Sequence, residues 1–372
     1  MPSRSPASPG DSLEDIDTPA LVLDLDALQR NIARMAEAVK DSGVRLRPHA
    51  KSHKCVEIAR AQIAAGAVGL CAQKTSEAQA LIAGGVADVL VTNEVVGKTK
   101  LARLARLAKE AKVAVLADDA RNVTELDAAA RGERVRLEVL VELDVGAGRC
   151  GVAPGEPALM LARSIAACRN LRFGGLHAYH GVAQHQRDPA ERRTAIAAAA
   201  EQALLTRRLI ERNGIACDTV TGAGTGTFLL EAASRVYSEI QPGSYVFMDA
   251  DYGRNIWEED WPRFEQSLFI LTTVMSTPAA SRAVVDAGLK ASSVDSGMPL
   301  VRDRPGVEYV KASDEHGVLK IGAGAKGPAL GEKLLLVPGH CDPTVNLYDR
   351  YVCVRNGKVE AMWPVSARGA VY

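Results

Sequence analysis

No stretch of this 372-residue chain is long and apolar enough to span a membrane, because charge interrupts every apolar run within about 18 residues. It has no net charge: 45 basic residues are balanced by 45 acidic ones. That balance removes the case for an electrostatic grip on nucleic acid or anionic lipid. Seven cysteines are an odd number, and no C-x-x-C pair occurs. Cys55, Cys71, Cys150, Cys168 and Cys217 sit in or beside apolar segments, which reads as buried reduced thiols in a cytoplasmic protein. The first dozen residues are rich in Ser, Pro and Gly but lack the basic start and apolar run of a signal peptide. Residues 1–16 therefore read as a disordered tail.

What is present is enough apolar content, 47% of residues, for a full core, over a length that suggests one large domain and a smaller one. Short β-like runs fall at Val44–Pro48, Val68–Ala72, Val89–Thr92, Val113–Ala117, Leu137–Leu143, Phe173–Ala178, Thr219–Gly222 and Gly243–Met248. Helical spacing fills most of the gaps, as at Leu28–Val39, Thr75–Ala83, Leu101–Ala111, Val123–Ala130, Ala158–Ala167 and Ala190–Arg212. Alternating strands and helices imply parallel βαβ units, closed as a (β/α)₈ barrel or wound as an open sheet. A nucleotide-binding open sheet would carry a glycine-rich turn after its first strand. That turn here is His49-Ala50-Lys51, and the count of eight favours the TIM-type barrel, assigned to residues 24–264. From about Phe264 the helical period fades. Runs at Phe269–Met275, Arg282–Asp286, Val318–Ile321, Lys333–Val337, Arg350–Arg355 and Lys358–Met362 predict a second, β-rich domain over residues 265–372. Thr18–Leu23 reads as a strand that joins it, so residues 17–23 are grouped there.

A barrel of this kind places its chemistry at the C-terminal ends of its strands. Lys51 follows the first strand and is a candidate Schiff-base amine, against the alternative of a surface lysine, which Lys54 resembles more. Gln73, Asn93, Asp144, Arg149, His177, Tyr179, His180 and His185 follow later strands. Thr221-Gly222-Ala223-Gly224-Thr225-Gly226-Thr227 is a loop of glycines and hydroxyls. It lacks the Lys-Ser/Thr pair of a Walker loop, so a single phosphate fits better than a nucleoside triphosphate. A flexible glycine turn explains its composition equally well. Its place after the seventh strand, with Gly243-Ser244-Tyr245 at the eighth, favours phosphate. Arg149 stands among glycines and suits a phenolate or carboxylate partner, or simply solvent. His340 and Asp342 are two positions apart, which on an extended backbone puts both side chains on one side. Together they suit Zn²⁺ or Mn²⁺, although a capped turn before Pro343 is the simpler account of the pattern alone.

Leu46–Lys54, Thr221–Phe228, Gln241–Asp249, Asp314-Glu315-His316-Gly317 and Gly339–Thr344 together resemble the D-threonine aldolase family. More broadly they resemble the alanine-racemase-like, fold-type III pyridoxal phosphate enzymes. The similarity runs from about Asp17 to the end. It implies that Lys51 carries pyridoxal 5'-phosphate. It implies that Thr221, Gly222, Gly224, Thr225, Ser244 and Tyr245 surround the phosphate, and that Gln73, Arg149 and Tyr179 contact the ring. His340 and Asp342 would hold a divalent ion, Mn²⁺ first, with Mg²⁺, Co²⁺ or Zn²⁺ as alternatives. His185 would be the general base at the substrate hydroxyl. The related dehydratases usually carry Cys where this chain has Asp342, which matches the aldolase pattern. The implied reaction is retro-aldol cleavage of D-threonine and related D-3-hydroxy amino acids to glycine and an aldehyde. Dehydration of the same substrates is the alternative. A non-catalytic carrier is disfavoured by the β domain, and a racemase would need a second acid/base such as Tyr309, Tyr348 or Tyr351. By the same analogy a homodimer is expected.

Overall fold

The structure is a computed structural model and describes residues 5–372; residues 1–4 lie outside the described residues. Strand β1 (Ala20–Asp24) runs into a helix at Leu25–Val39. Asp24 caps that helix, its carboxylate accepting the Ala27 amide at 3.0 Å. Eight parallel strands follow: β2 (Arg45–Leu46), β3 (Leu70–Ala72), β4 (Asp88–Glu94), β5 (Lys112–Ala117), β6 (Leu137–Glu142), β7 (Leu171–His177), β8 (Thr219–Gly222) and β9 (Glu239–Ile240). They pair in the order β2-β9-β8-β7-β6-β5-β4-β3. The ring closes where Val68 donates to the Leu46 carbonyl at 2.9 Å and Cys71 to that of Pro48 at 2.8 Å. This is the barrel expected from the alternating periodicities.

Amphipathic helices wrap the outside. In the helix Lys98–Leu107, Leu101, Leu104, Ala105 and Leu107 are buried on one face, the spacing of a surface helix. The longest helix, Pro189–Arg212, begins with proline in its first turn, and Asp188 accepts the Ala190 amide at 2.8 Å. Cys71, Leu90, Ala114, Leu116 and Leu140 form an apolar plug inside the barrel.

The remaining strands are β10 (Leu268–Ala279), β11 (Arg282–Val285), β12 (Leu300–Val301), β13 (Val307–Ala312), β14 (Gly317–Ile321), β15 (Lys333–Val337), β16 (Arg350–Arg355) and β17 (Lys358–Pro364). They form a sheet in the order β13-β14-β11-β10-β1-β16-β17, with β15 paired to β10 and β12 to β15. Strand β1 lies antiparallel to β10 and parallel to β16. The start of the chain is thus stitched into the sheet formed by its end. No helix among the described residues is long and apolar enough to cross a membrane.

Three expectations are corrected. The eighth barrel strand is Glu239–Ile240, not Gly243–Met248, of which Ser244–Val246 form a 3₁₀ turn. That segment is apolar because Tyr245, Val246 and Phe247 pack with Leu28, Met35, Leu336 and Tyr351 in the seam between barrel and β sheet. Of the tail expected to be disordered, residues 5–16 are placed: Ala7 and Ile16 are buried against Val22 and Val352, and Ser12 bridges to Lys358. Lys54 is not a surface residue. It is buried, and its amine lies 3.5 Å from the buried carboxylate of Glu77.

At the opposite end of the barrel from the loops, Arg47 is almost fully buried. It donates to Glu239 Oε1 at 2.9 Å and to Asp88 Oδ1 at 2.6 Å. Removing one partner of such a pair leaves a charge without compensation in the interior. Arg47→Ala should therefore lower the unfolding free energy in urea by about 3–5 kcal/mol; a loss below about 1 kcal/mol would put the pair in the class of exposed bridges.

Candidate active site

The C-terminal ends of the barrel strands line a cleft. Its lining is His49, Lys51, Gln73, Thr92, Arg149, His177, Tyr179, Ala223, Gly224, Thr225, Gln241, Gly243, Ser244 and Tyr252. Lys51 stands on the 3₁₀ turn Ala50–Ser52 just after β2. Its ammonium contacts Asp342 Oδ2, so the two motifs at opposite ends of the sequence meet in this cleft. Burial works to lower the Lys51 pKa, but Asp342 and then Tyr179 outweigh it and the net shift is upward. The amine still faces the cleft, with 43% of its side chain accessible. Asp342 shows the reverse balance: burial pushes it up, Lys51 and His340 pull it down, and it settles at about 2. His49 is buried beside them. Burial first and the Lys51 charge second push its pKa well below the usual imidazole value. A neutral ring follows, with Nε2 2.8 Å from Thr92 Oγ1 and Nδ1 accepting the Lys51 amide at 3.3 Å.

The glycine loop enters the cleft through a change of backbone hand. Ala223 has φ of 69°, in the left-handed region that costs a residue with a Cβ some energy. Gly224 follows, where a Cβ would sit 2.5 Å from Gln184 Oε1. Across the cleft, a Cβ on Gly243 would sit 3.0 Å from the His49 carbonyl. The amides of Gly224, Thr225, Gly243 and Ser244 donate to no acceptor among the described residues. Four N–H groups without acceptors, on residues that line one cleft, are the chemistry of an anion cradle.

Other expected phosphate neighbours lie elsewhere. Thr221 is fully buried in the barrel, donating to Glu239 at 3.1 Å and accepting from Gln241 at 2.8 Å. Gly222 is held tight against the Ala178 carbonyl, which a Cβ would approach to 2.4 Å. The Tyr245 ring points into the core, where its hydroxyl accepts from Gln62 at 3.0 Å, and its amide donates to Thr225 Oγ1 at 3.0 Å.

On the far wall, Arg149 stacks over Tyr179, its guanidinium carbon 5.7 Å from the ring centre. Gln73 is fixed by Glu77, which accepts its amide at 2.6 Å. His177 was not singled out from the other post-strand polar residues. Nε2 lies 3.1 Å from Gln241 Oε1, and Nδ1 lies 2.5 Å from Glu142 Oε2 in a charge contact too bent for a hydrogen bond. Burial opposes its charging, but Glu142 and Gln241 carry its pKa above the usual value.

His340 and Asp342 are not on an extended strand. His340 caps the short helix Cys341–Val345 and Asp342 lies in its first turn. His340 Nδ1 is taken by Asp295 at 2.8 Å, which leaves Nε2 as its open donor atom. Asp249 places this helix: its buried carboxylate accepts the Cys341 amide at 3.0 Å and the Tyr252 amide at 3.0 Å. Among the described residues the three-ligand group is Glu94, at the end of β4, with Asp118 and Cys150; His340 and Asp342 gather no third protein ligand. His185 does not line the cleft. It sits at the rim with its ring centre 5.5 Å from that of Tyr252 and Nδ1 2.6 Å from Asp251 Oδ2. The tyrosines a racemase would need are committed elsewhere. Tyr309, Tyr348 and Tyr351 donate to the carbonyls of Ala287, Ala291 and His53 at 2.8, 2.8 and 2.6 Å.

Of the residues sequence reading left out, His49, Thr92, Gln241 and Tyr252 line the cleft. His49 and Gln241 stood inside quoted motifs, whereas Thr92 and Tyr252 carried no signal of their own.

Residues 23–251 match the alanine racemase N-terminal domain, and residues 267–354 match the serine dehydratase domain. The chain is 49% identical to a D-threonine aldolase of an Arthrobacter species over 98% of its length and 96% of the relative's. It is 50% identical to the 3-hydroxy-D-aspartate aldolase of Paracoccus denitrificans (strain Pd 1222), covering 99% of this chain and 96% of that one. The crystal structure of D-threonine aldolase from Filomicrobium marinum superposes with a TM-score of 0.96 at 49% identity, over 99% of this chain and all (100%) of that one. With two such aldolases matched along nearly their whole length and a solved aldolase sharing the fold, this chain belongs to the D-threonine and 3-hydroxy-D-aspartate aldolase family.

Proposed function

We propose that the protein is a pyridoxal phosphate- and divalent metal-dependent lyase that cleaves D-threonine and related D-3-hydroxy amino acids to glycine and an aldehyde. The observation that carries this reading is the contact of Lys51 with Asp342 in one cleft. An amine able to take an aldehyde and a carboxylate able to take a cation are adjacent, and two polypeptide segments of different domains supply them. The donors present suit both groups. Four undirected amides match a phosphate. A nitrogen from His340 and an oxygen from Asp342 match a borderline-to-hard cation and leave positions for water and substrate. We assign Mn²⁺ first.

When bound, the cofactor supplies an electron sink and the metal a Lewis acid. The protein's residues do the rest. Lys51 would hold the cofactor's aldehyde, and the amides of Gly224, Thr225, Gly243 and Ser244 would hold its phosphate, with the Thr225 and Ser244 hydroxyls beside them. Gln73, Arg149 and Tyr179 would contact the ring. His340 Nε2 and an Asp342 oxygen would hold the metal. His185 takes the β-hydroxyl proton. Its Nδ1 is committed to Asp251, so Nε2 is the nitrogen that receives it. His340 and Asp342 lie on the β domain and Lys51 on the barrel, the division we draw at residues 24–264 against 17–23 with 265–372. Seven free cysteines support a reducing cytoplasm, and the fold analogy supports a homodimer.

Incubated with D-threonine and Mn²⁺, the purified protein should give acetaldehyde and glycine, and EDTA should stop it. Formation of 2-oxobutanoate and ammonia would make it a dehydratase instead. Lys51→Ala should remove the visible absorbance of covalently held cofactor; persistence of that band would take Lys51 out of its role. Asp342→Ala should keep the band and lower metal-stimulated kcat/KM by at least about 100-fold. Unchanged activity that chelator does not touch would dismiss the metal assignment.

A further inference from the structure

The turn Val182–His185 packs under the loop Ala223–Thr227, and Gln184 is the side chain between them. Gln184 is fully buried. Its Oε1 accepts the Gly226 amide at 2.9 Å, and its Nε2 donates to Thr227 Oγ1 at 2.8 Å and, more weakly, to the His180 carbonyl at 3.3 Å. Thr227 Oγ1 donates in turn to Glu231 Oε1 at 2.8 Å. The direction of every bond follows from the first. A backbone N–H only donates, so the Gln184 atom facing Gly226 is oxygen. The atom facing Thr227 is then nitrogen, and the Thr227 hydroxyl passes its one proton to Glu231. Glu231 is 1% exposed, and its other oxygen has no partner among the described residues.

The loop is also moulded around Gln184. A Cβ on Gly224 would lie 2.5 Å from its Oε1, and one on Gly226 would lie 2.7 Å from its carbonyl. From the other side, that carbonyl accepts Asn255 Nδ2 at 3.0 Å. The loop that presents the undirected amides of Gly224 and Thr225 is therefore set by a side chain that does not itself line the cleft.

We infer that Gln184, Thr227 and Glu231 are a positioning relay that fixes the loop amides in the geometry a phosphate needs. The inference rests on the reading of this loop as the phosphate cradle. The relay has a polarity, and that polarity is reversible. Gln184→Glu removes the donor facing Thr227, leaving a hydroxyl with one proton between two carboxylates. Adding Glu231→Gln restores a donor from the opposite side. The new carboxylate at 184 then accepts both the Gly226 amide and the Thr227 hydroxyl, and only the longer bond to the His180 carbonyl is lost.

The test resolves cofactor from wild type, Q184E, E231Q and Q184E/E231Q. Each is titrated by absorbance with pyridoxal phosphate and with pyridoxal, which lacks the phosphate. Thermal unfolding of each resolved protein is followed in parallel. Q184E should weaken pyridoxal phosphate binding by about tenfold while pyridoxal binding moves by less than about twofold, as expected when hydrogen bonds to a charged group are misplaced. Q184E/E231Q should return to within about threefold of wild type. An unchanged affinity ratio in Q184E, or a double variant as weak as the single, overturns the relay. If Q184E does not fold, a double variant that folds and binds upholds it, and one that stays unfolded overturns it. Wild type that binds both ligands equally tightly would instead sink the phosphate cradle, with the relay falling as its consequence.

Discussion

One buried carboxylate holds the two halves of the site together. Asp249 has no solvent exposure, and its two oxygens each take a backbone amide, from Tyr252 on one side and Cys341 on the other. Next to it, Ala250 donates to the Pro338 carbonyl at 2.9 Å and Asp251 to that of Gly339 at 3.1 Å. Burial pushes the Asp249 pKa up, and the two amides and His340 pull it partly back. A polar group in such a place is tolerated only when it is hydrogen-bonded, so the chain must keep both amides where they are. With Cys341 fixed, His340 and Asp342 fall on either side of it. With residues 250–252 fixed, Tyr252 closes the cleft and Asp251 reaches His185.

The barrel interior carries a second constraint. From Arg47 at the base, contacts run through Glu239, Thr221, Gln241 and His177 to Glu142 beneath Arg149. The column has a direction. Gln241 Nε2 donates to Thr221, so its Oε1 faces His177 and requires a donor there. Nδ1 faces the Glu142 carboxylate. Nε2 is thus a donor to Gln241, and the Glu142 charge beside Nδ1 joins it in raising the His177 pKa against the cost of burial. Thr221 was expected at the phosphate because it opens a loop of small residues. The charge of Glu239 holds it inside instead.

The sequence carried the barrel well where helices and strands were long enough to show a period. It failed at β9, whose two residues are too short to have one, and the apolar run just after it reads as a strand. That run is apolar because it fills the domain seam, a tertiary cause with no local signature. Lys54 failed for a related reason: nothing near it in sequence announces Glu77, the partner that makes its burial tolerable. At the cleft, Lys51, Gln73, Arg149, Tyr179, Gly224, Thr225 and Ser244 could be picked out because strand ends and glycine-rich turns mark a barrel's working face, whereas His340 and Asp342, outside the barrel, were reached only through their spacing and the family resemblance. Asp249, Asp251, Asp295 and Gln184 were not, since each acts by meeting a residue far away in sequence.

His185 shows how such remote partners decide chemistry. It stands at the rim beside Tyr252, nearly half exposed, and by itself is an ordinary surface imidazole. Asp251 changes that by taking Nδ1, while Arg187 and Arg254 occupy the other carboxylate oxygen. Burial pushes the Asp251 pKa up, but Arg187 and then His185 outweigh it, and the net shift is downward. The anion engages Nδ1 and limits how far the ring can swing. The ring proposed as the base is held in this way to a single orientation. The domain seam therefore does more than join two domains. Through residues 249–251 it sets the orientation of His185 and, through the Cys341 amide, the position of His340 and Asp342.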